Sequence, residues 1–286
     1  MSLVGAGAAI DITPSHDGTI LGDAIFGNVA SGITLQSSTY IGADQAAAKY
    51  RNLDFAPFAK MRSGILLTTG NALIARGPND LEYAGEDNGG PSGTFMNYDG
   101  NGAVADLLDV ARLDVHFTSD STQKLYFDFS FGSEEYFEWV NSPYNDTFLS
   151  LLDDNPVTLS RDLVDNPITV NNQFFRVDNR PAGWSDTDYV GNHSTPAGLD
   201  AGIAELQYDG FTPMLRTTFT VSAGDHVLSF VIGDAGDRIY DSGVFISRAL
   251  GSGTGDDGTD DDPVPEPVAA VALGLGILAM RTVRRR

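Results

Sequence analysis

The side chains with the most chemical potential in this chain are acidic and fall in two places. Glu134 and Glu135 follow the run Phe131-Gly132-Ser133, with Asp146 close behind, and Asp234, Asp237 and Asp241 share one short stretch further on. The oxygen-bearing residues Ser133, Asn141, Asn145 and Ser242 lie among them. Calcium takes roughly six to eight oxygen ligands in a loose geometry that irregular loops can supply. The pattern therefore points to a calcium site in which Asp234, Asp237 and Asp241 reach one ion from a single loop, with Glu134 and Glu135 joining from their turn. The spacing departs from the EF-hand, which needs acids at alternate positions, a mid-loop glycine and a terminal Glu. The same carboxylates are equally suited to capping turns and accepting backbone hydrogen bonds, and that alternative stays open.

Paired carboxylates also serve glycoside hydrolysis when they stand roughly 5 to 9.5 Å apart. Neighbours on a continuing strand point to opposite faces, so Glu134 and Glu135 need another partner such as Asp237 for that chemistry. Other catalytic signatures are missing. His16, His116, His193 and His226 sit in unrelated contexts with no Gly-x-Ser-x-Gly elbow and no zinc-ligand spacing. No glycine loop follows a strand and opens a helix as phosphate binding requires. The expectation is a protein without catalytic residues and with no cofactor beyond calcium.

The elements that must hold these acids are mostly strands. Leu125, Phe127, Phe129 and Phe131 alternate with Tyr126, Asp128 and Ser130, the pattern of a half-buried strand. Further strands are expected at Ile65 to Thr69, Phe174 to Val177, Thr217 to Val221, Val227 to Ile232 and Val244 to Ser247, each bounded by turn-forming residues. Ala103 to Ala111 and Leu199 to Leu206 read as short helices. The fold class this predicts is mainly β: an antiparallel, jelly-roll-like β-sandwich with one or two short helices, forming a single domain over residues 10–250. Trp139, Tyr136, Phe137, Tyr144 and Tyr189 are expected mainly in the core, and Trp184 is the aromatic expected at the surface, where it could stack on sugars.

Composition narrows the partners. Lys plus Arg number 17 against 39 Asp plus Glu, a net charge of −22, and the C-terminal segment holds four of the arginines. Such a body repels nucleic acid and attracts divalent cations. With no cysteine there is neither a disulfide framework nor a thiolate metal site.

Residues 251–262 contain only Gly, Ser, Thr and Asp, which reads as an extended, self-repelling linker. Beyond it come Val264-Pro265-Glu266-Pro267, an apolar run from Val268 to Met280, and arginines ending in Arg284, Arg285 and Arg286. As a helix the run spans roughly 20 Å against a bilayer core of about 30 Å, and its Ala and Gly content keeps insertion weak, which suits a temporary stop. This segment, residues 263–286, closely resembles the PEP-CTERM protein-sorting signal. The resemblance implies a Gram-negative bacterium that makes extracellular polysaccharide, transient insertion of residues 268–280 in the inner membrane, and cleavage by an exosortase-type enzyme. Residues 1–9 read as the rear half of a secretory signal, with a start site further upstream expected.

Three body segments carry a second resemblance: Gly64-Ile65-Leu66-Leu67-Thr68-Thr69-Gly70-Asn71-Ala72, the Phe131 to Phe148 stretch, and Phe230 to Ile246. Together they look like the choice-of-anchor L domain, a bacterial surface module, with Gly243 standing where a slightly larger residue such as Ala is expected. The two resemblances imply an exported protein of the cell surface or extracellular matrix, structural or adhesive in an exopolysaccharide or biofilm setting. The alternatives are a carbohydrate-active enzyme of the glycoside hydrolase type and an ice-binding protein.

Overall fold

The structure is a computed structural model that describes residues 10–26, 31–55, 59–79, 81, 84–96, 104–136, 138–163, 165–172, 177–178, 206–247 and 250–251. In chain order the first half contains β1 (Asp11–Pro14), α1 (Gly18–Phe26), β2 (Ile33–Ile41), β3 (Ala47–Phe55), β4 (Ala59–Thr68), β5 (Gly93–Met96), β6 (Val104–Ser119) and β7 (Gln123–Ser133). The second half contains β8 (Thr147–Leu152), β9 (Ile168–Thr169), β10 (Val177–Asp178), β11 (Gly210–Phe211), β12 (Leu215–Val221), β13 (Gly224–Ala235), β14 (Ser242–Ser247) and β15 (Leu250–Gly251). Among the described residues the strands form two antiparallel sheets. One runs β1-β3-β4-β14-β7-β11-β10, with β12 and β15 also paired to β7, and the other runs β2-β6-β13-β8-β9, with β5 paired to β6.

The main core lies between the sheets. Phe127 and Phe129 of β7 meet Phe230 of β13 and Phe148 of β8, with ring centroids 5.0 and 5.2 Å apart. Ile65 and Leu67 of β4, Val244 and Ile246 of β14, and Leu113, Val115 and Phe117 of β6 complete it. Each such side chain contributes about 1.5–3 kcal/mol by leaving water, so this alternating apolar face sets the register of both sheets.

Expected strands at Ile65 to Thr69, Leu125 to Phe131, Thr217 to Val221, Val227 to Ile232 and Val244 to Ser247 fall within β4, β7, β12, β13 and β14. One expectation about β7 needs correction. Ser130 is buried rather than facing solvent, because Leu206, Tyr208 and Phe211 cover the outer face of this sheet together with Ala72 and Ala75. Its hydroxyl donates to the Thr212 carbonyl at 2.6 Å.

The helix expected at Ala103 to Ala111 is, over residues 104–111, instead the start of β6, paired to β5 on one edge and β13 on the other. The cause is a bulge. Ile232 pairs with Ala111 and Asp234 with Leu108, so Asp109 and Val110 together face Gly233, and Asp109 adopts φ 44°. The extra residue shifts the alternation by one and leaves Leu107, Val110 and Ala111 buried, a spacing that imitates a helix. Conversely, α1 was not anticipated. Asp17 caps it by accepting from the amides of Thr19 and Ile20 at 2.9 and 3.3 Å, and Leu21 and Ile25, one helical turn apart, enter the core.

Several expectations lie outside the described residues: the N-terminal signal remnant, Phe174 to Arg176, the short helix before Leu206, Phe137, Trp184, Tyr189, and the linker and tail from residue 252 onward. Among the described residues no helix is long and apolar enough to cross a membrane.

Candidate functional site

The strand register brings the acidic residues together at one end of the sandwich. Ser242 of β14 pairs with Ser133 of β7, which sets Asp241 beside Glu134, and the Glu134 amide donates to the Asp241 carbonyl at 3.0 Å. In the other sheet Gly233 of β13 pairs with Thr147 of β8, which sets Asp234 beside Asp146. The segment Gly236 to Tyr240 crosses from one sheet to the other, so both pairs share one end of the fold. Glu135 joins them from the turn after β7. These five carboxylates are each no more than 2 % exposed.

Their oxygens are unevenly satisfied. Asp146 is fully bonded: Oδ1 accepts from the Ala235 amide at 3.0 Å and Oδ2 from the Ser242 hydroxyl at 2.7 Å. The Ser242 hydroxyl also points to Ser133 Oγ at 2.9 Å, so its one proton is shared between that oxygen and the shorter contact with Asp146. Glu134 Oε2 accepts from the Ala84 amide and Asp241 Oδ1 from the Glu86 amide, each at 3.1 Å. Glu134 Oε1, Glu135 Oε2, Asp241 Oδ2 and both oxygens of Asp234 are buried without a hydrogen-bond partner. The Thr69 hydroxyl and the Asp146 carboxyl lie beside Asp234 and act on its charge, but neither makes a well-formed bond to it.

Burial, and then mutual repulsion, pushes these acids upward. Glu134 is held well above the usual carboxylate range by burial and by Asp209 and Asp241. Glu135 rises to about 10 through burial, Asp146 and Asp237. Asp146 rises to about 7 through burial, offset by its bonds from Ser242 and Ala235. Asp234 is raised well above its usual value by burial and Asp146, and Asp241 reaches about 8 through burial, against its Glu86 bond. None of the leading influences on these five is a basic side chain. The basic residue of the overlying loop, Arg238, is turned instead to Asp109, with Asp87 at 3.6 Å and Ser92 Oγ at 3.2 Å.

Of the five residues assigned to a metal from sequence, Asp234, Asp241, Glu134 and Glu135 converge. Asp237 stands at the rim, half-buried, with Oδ1 accepting from the Ile239 amide at 3.2 Å in a local turn. Asp146 takes the place within the cluster that Asp237 was expected to fill. Asp109 and Asp209, both fully buried nearby, were not singled out by sequence. Asp209 Oδ1 accepts from Asn79 Nδ2 at 2.8 Å, and no spacing signal links those residues across the chain. Among the described residues no three acidic, histidine or cysteine side chains are arranged so that they could hold a metal ion as they stand.

These segments are also the recognisable ones. The sequence profile of the choice-of-anchor L domain matches residues 20–250, which contain the whole carboxylate cluster and all of both sheets except β1 and the last residue of β15. The chain belongs to the choice-of-anchor L domain family. No match to it is found among curated proteins or among solved structures. Family membership points to a surface-anchored or secreted protein. Within this choice-of-anchor L domain, Gly243 has a local reason. A Cβ there would lie 2.1 Å from the Tyr208 hydroxyl, and one at its cross-strand partner Gly132 would lie 2.7 Å from the same ring. The two glycines make the seat on which Tyr208 packs.

An open groove lies elsewhere. It has a volume of about 510 Å³ and is lined by Gln36, Ser37, His116, Asp153, Asp225 and His226 among others. His226 lies eight positions before Asp234 on β13, roughly 26 Å along an extended strand, so the groove and the acid cluster occupy opposite ends of the sandwich. His226 is 8 % exposed, with Nδ1 2.7 Å from Asp153 Oδ2 and Nε2 3.0 Å from the Ser222 carbonyl. Both neighbours are acceptors, so the doubly protonated ring satisfies them best. Burial opposes the charge, but Asp153, the Ser222 carbonyl and Asp225 outweigh it and raise the pKa above 6.5. A raised folded-state pKa stabilises fully below the unfolded value and ceases to do so as pH rises through the folded value. His226→Gln is therefore expected to cost about 1 kcal/mol near pH 5.5, the half-exposed Asp153 partner limiting the effect. Denaturant titrations across pH should show that difference shrinking toward alkaline pH.

Proposed function

We propose that the protein is an exported module of the cell surface or extracellular matrix with a structural or adhesive role against extracellular polysaccharide. The observation that carries this reading is the joining of a choice-of-anchor L body to the terminal sequence Val264-Pro265-Glu266-Pro267, the apolar run to Met280, and Arg284 to Arg286. The tail acts as a sorting signal: residues 268–280 pause in the inner membrane, the arginines stay on the cytoplasmic side, and an exosortase-type enzyme cuts near the proline motif.

A binding rather than hydrolytic role is supported by the burial of the acids. Glu134 and Glu135 are each 1 % exposed, and a polysaccharide must touch both carboxyl groups of a glycosidase pair. Trp139 packs edge-on against Tyr144, centroids 5.0 Å apart, and lies 6.2 Å from Tyr240, so these rings brace the loops above the cluster.

The test is expression of the full chain, preceded by a functional secretion signal, with and without an exosortase-type enzyme. Mass spectrometry of the exported protein should show a C terminus near Pro267 only when that enzyme is present. Mature surface protein that still ends at Arg286 would refute the sorting assignment. In parallel, purified protein should retain matrix polysaccharide without shortening it. Release of reducing ends that disappears in Glu135→Gln would replace this reading with a hydrolase.

A further inference from the structure

We infer that the end of the sandwich where the two sheets meet is a calcium site, built from Asp146, Asp234 and Asp241 with Glu134 and Glu135 at its flanks, and that the ion staples one sheet to the other. The inference is independent of where the protein is delivered. It starts from the two cross-strand acid pairs: Glu134 and Asp241 come from β7 and β14, and Asp146 and Asp234 from β8 and β13. Three of these four lie beside an alternate strand end rather than on a shared loop, so only tertiary structure unites them.

The decisive feature is the set of buried oxygens that nothing in the protein satisfies. Both oxygens of Asp234, Asp241 Oδ2, Glu134 Oε1 and Glu135 Oε2 lack a donor, although buried polar groups are ordinarily paired. A buried charge requires a counter-charge, a metal or a proton, and the one basic side chain in the overlying loop is committed to Asp109. The donor set is all oxygen, carboxylates with the hydroxyls of Thr69, Ser133 and Ser242 nearby, and contains no imidazole or thiolate. That chemistry selects a hard cation, and several carboxylates on irregular turns suit calcium better than the strict octahedron of magnesium.

Room is provided by Gly70. A Cβ at that position would lie 1.5 Å from Asp241 Oδ2, so the Asp241 carboxylate occupies space that any side chain would take. As they stand, the acids do not form a group that could hold an ion, so binding requires their side chains to move. The ion assembles the site by drawing in the unbonded oxygens of Asp234 and Asp241 toward Asp146, whose position is fixed by Ala235 and Ser242.

The experiment uses the full chain, stripped with chelator and then returned to calcium alone. Isothermal titration at pH 7.5 should show a saturable site, and melting at about one hundred times its dissociation constant should rise by roughly 5–10 °C. Asp234→Asn replaces a buried carboxyl that has no hydrogen-bond partner with a neutral amide of the same shape, so in chelator it should melt near the wild-type temperature while losing most of the calcium response. Glu135→Gln provides the same comparison should Asp234→Asn fail to fold. The aspartates of residues 251–262 are intact in both variants, so weak linker binding is subtracted. An unchanged wild-type melting temperature in calcium and in chelator would overturn the site, as would either folded variant keeping the full shift. An equal shift with magnesium would overturn the assignment to calcium.

Discussion

Replacing Arg238 with methionine is expected to lower the stability of the domain by about 3 kcal/mol, at the lower end of the cost of breaking a buried ion pair. Asp109 is 0 % exposed, and its Oδ1 is held by the Arg238 guanidinium and by the Gly90 amide at 2.9 Å. Its other oxygen has no partner. Burial already raises the Asp109 pKa, and Arg238 is the main opposing influence. Methionine keeps much of the side-chain bulk but strands the carboxylate. The lower end of the range applies because the Arg238 side chain is 26 % exposed and partly solvated. Asp109→Asn should largely rescue the variant. Asparagine is neutral, tolerates the positive φ of this bulge, and retains an oxygen for the Gly90 amide. Guanidinium unfolding of the two single variants and the double variant checks this. If the double variant is as unstable as Arg238→Met alone, then lost packing rather than a stranded charge explains the loss.

Gly64→Ala is the second large effect expected, about 3 kcal/mol, or roughly 6–12 °C in melting temperature. Gly64 lies on β4, paired to Tyr50 on β3 and to Ser247 on β14. A Cβ there would stand 1.9 Å from the Ile246 carbonyl oxygen and 2.9 Å from the Tyr50 hydroxyl. The colliding atom is backbone in a strand that pairs with β4 on one side and β7 on the other, so relief requires opening the ladder. Gly89→Asn is the control. That glycine has φ 65° but nothing within 4 Å of the added carbon, and Asn tolerates the left-handed region, so the loss should stay below about 1 kcal/mol. Differential scanning calorimetry of both variants makes the comparison. Equal losses would show that the strand end relaxes freely around Gly64.

Much of the strand framework was legible from sequence because alternation is a local signal. Leu125, Phe127 and Phe129 announce β7, and the apolar stretches of β4, β13 and β14 do the same. The reading failed where one residue disturbed the period. Asp109, inserted as a bulge, turned an alternating strand into an apparent helical spacing, and no propensity of Asp announces a bulge whose partner is Gly233 more than a hundred residues away. The short α1 was legible in principle, through the Asp17 cap and the Leu21–Ile25 spacing.

The candidate site divides in the same way. Sequence alone determined that acids gather at strand ends, that the body is strongly acidic and lacks cysteine, and that the chain closes with a proline motif, an apolar run and arginines. These are properties of composition and of neighbours along the chain. Only tertiary structure decided that Asp146, rather than Asp237, stands with Asp234, that Glu134 and Glu135 are buried, and that Arg238 serves Asp109. Burial and charge pairing depend on which strands lie side by side, and that pairing is set by the shared apolar core between two sheets, not by the spacing of the charged residues themselves.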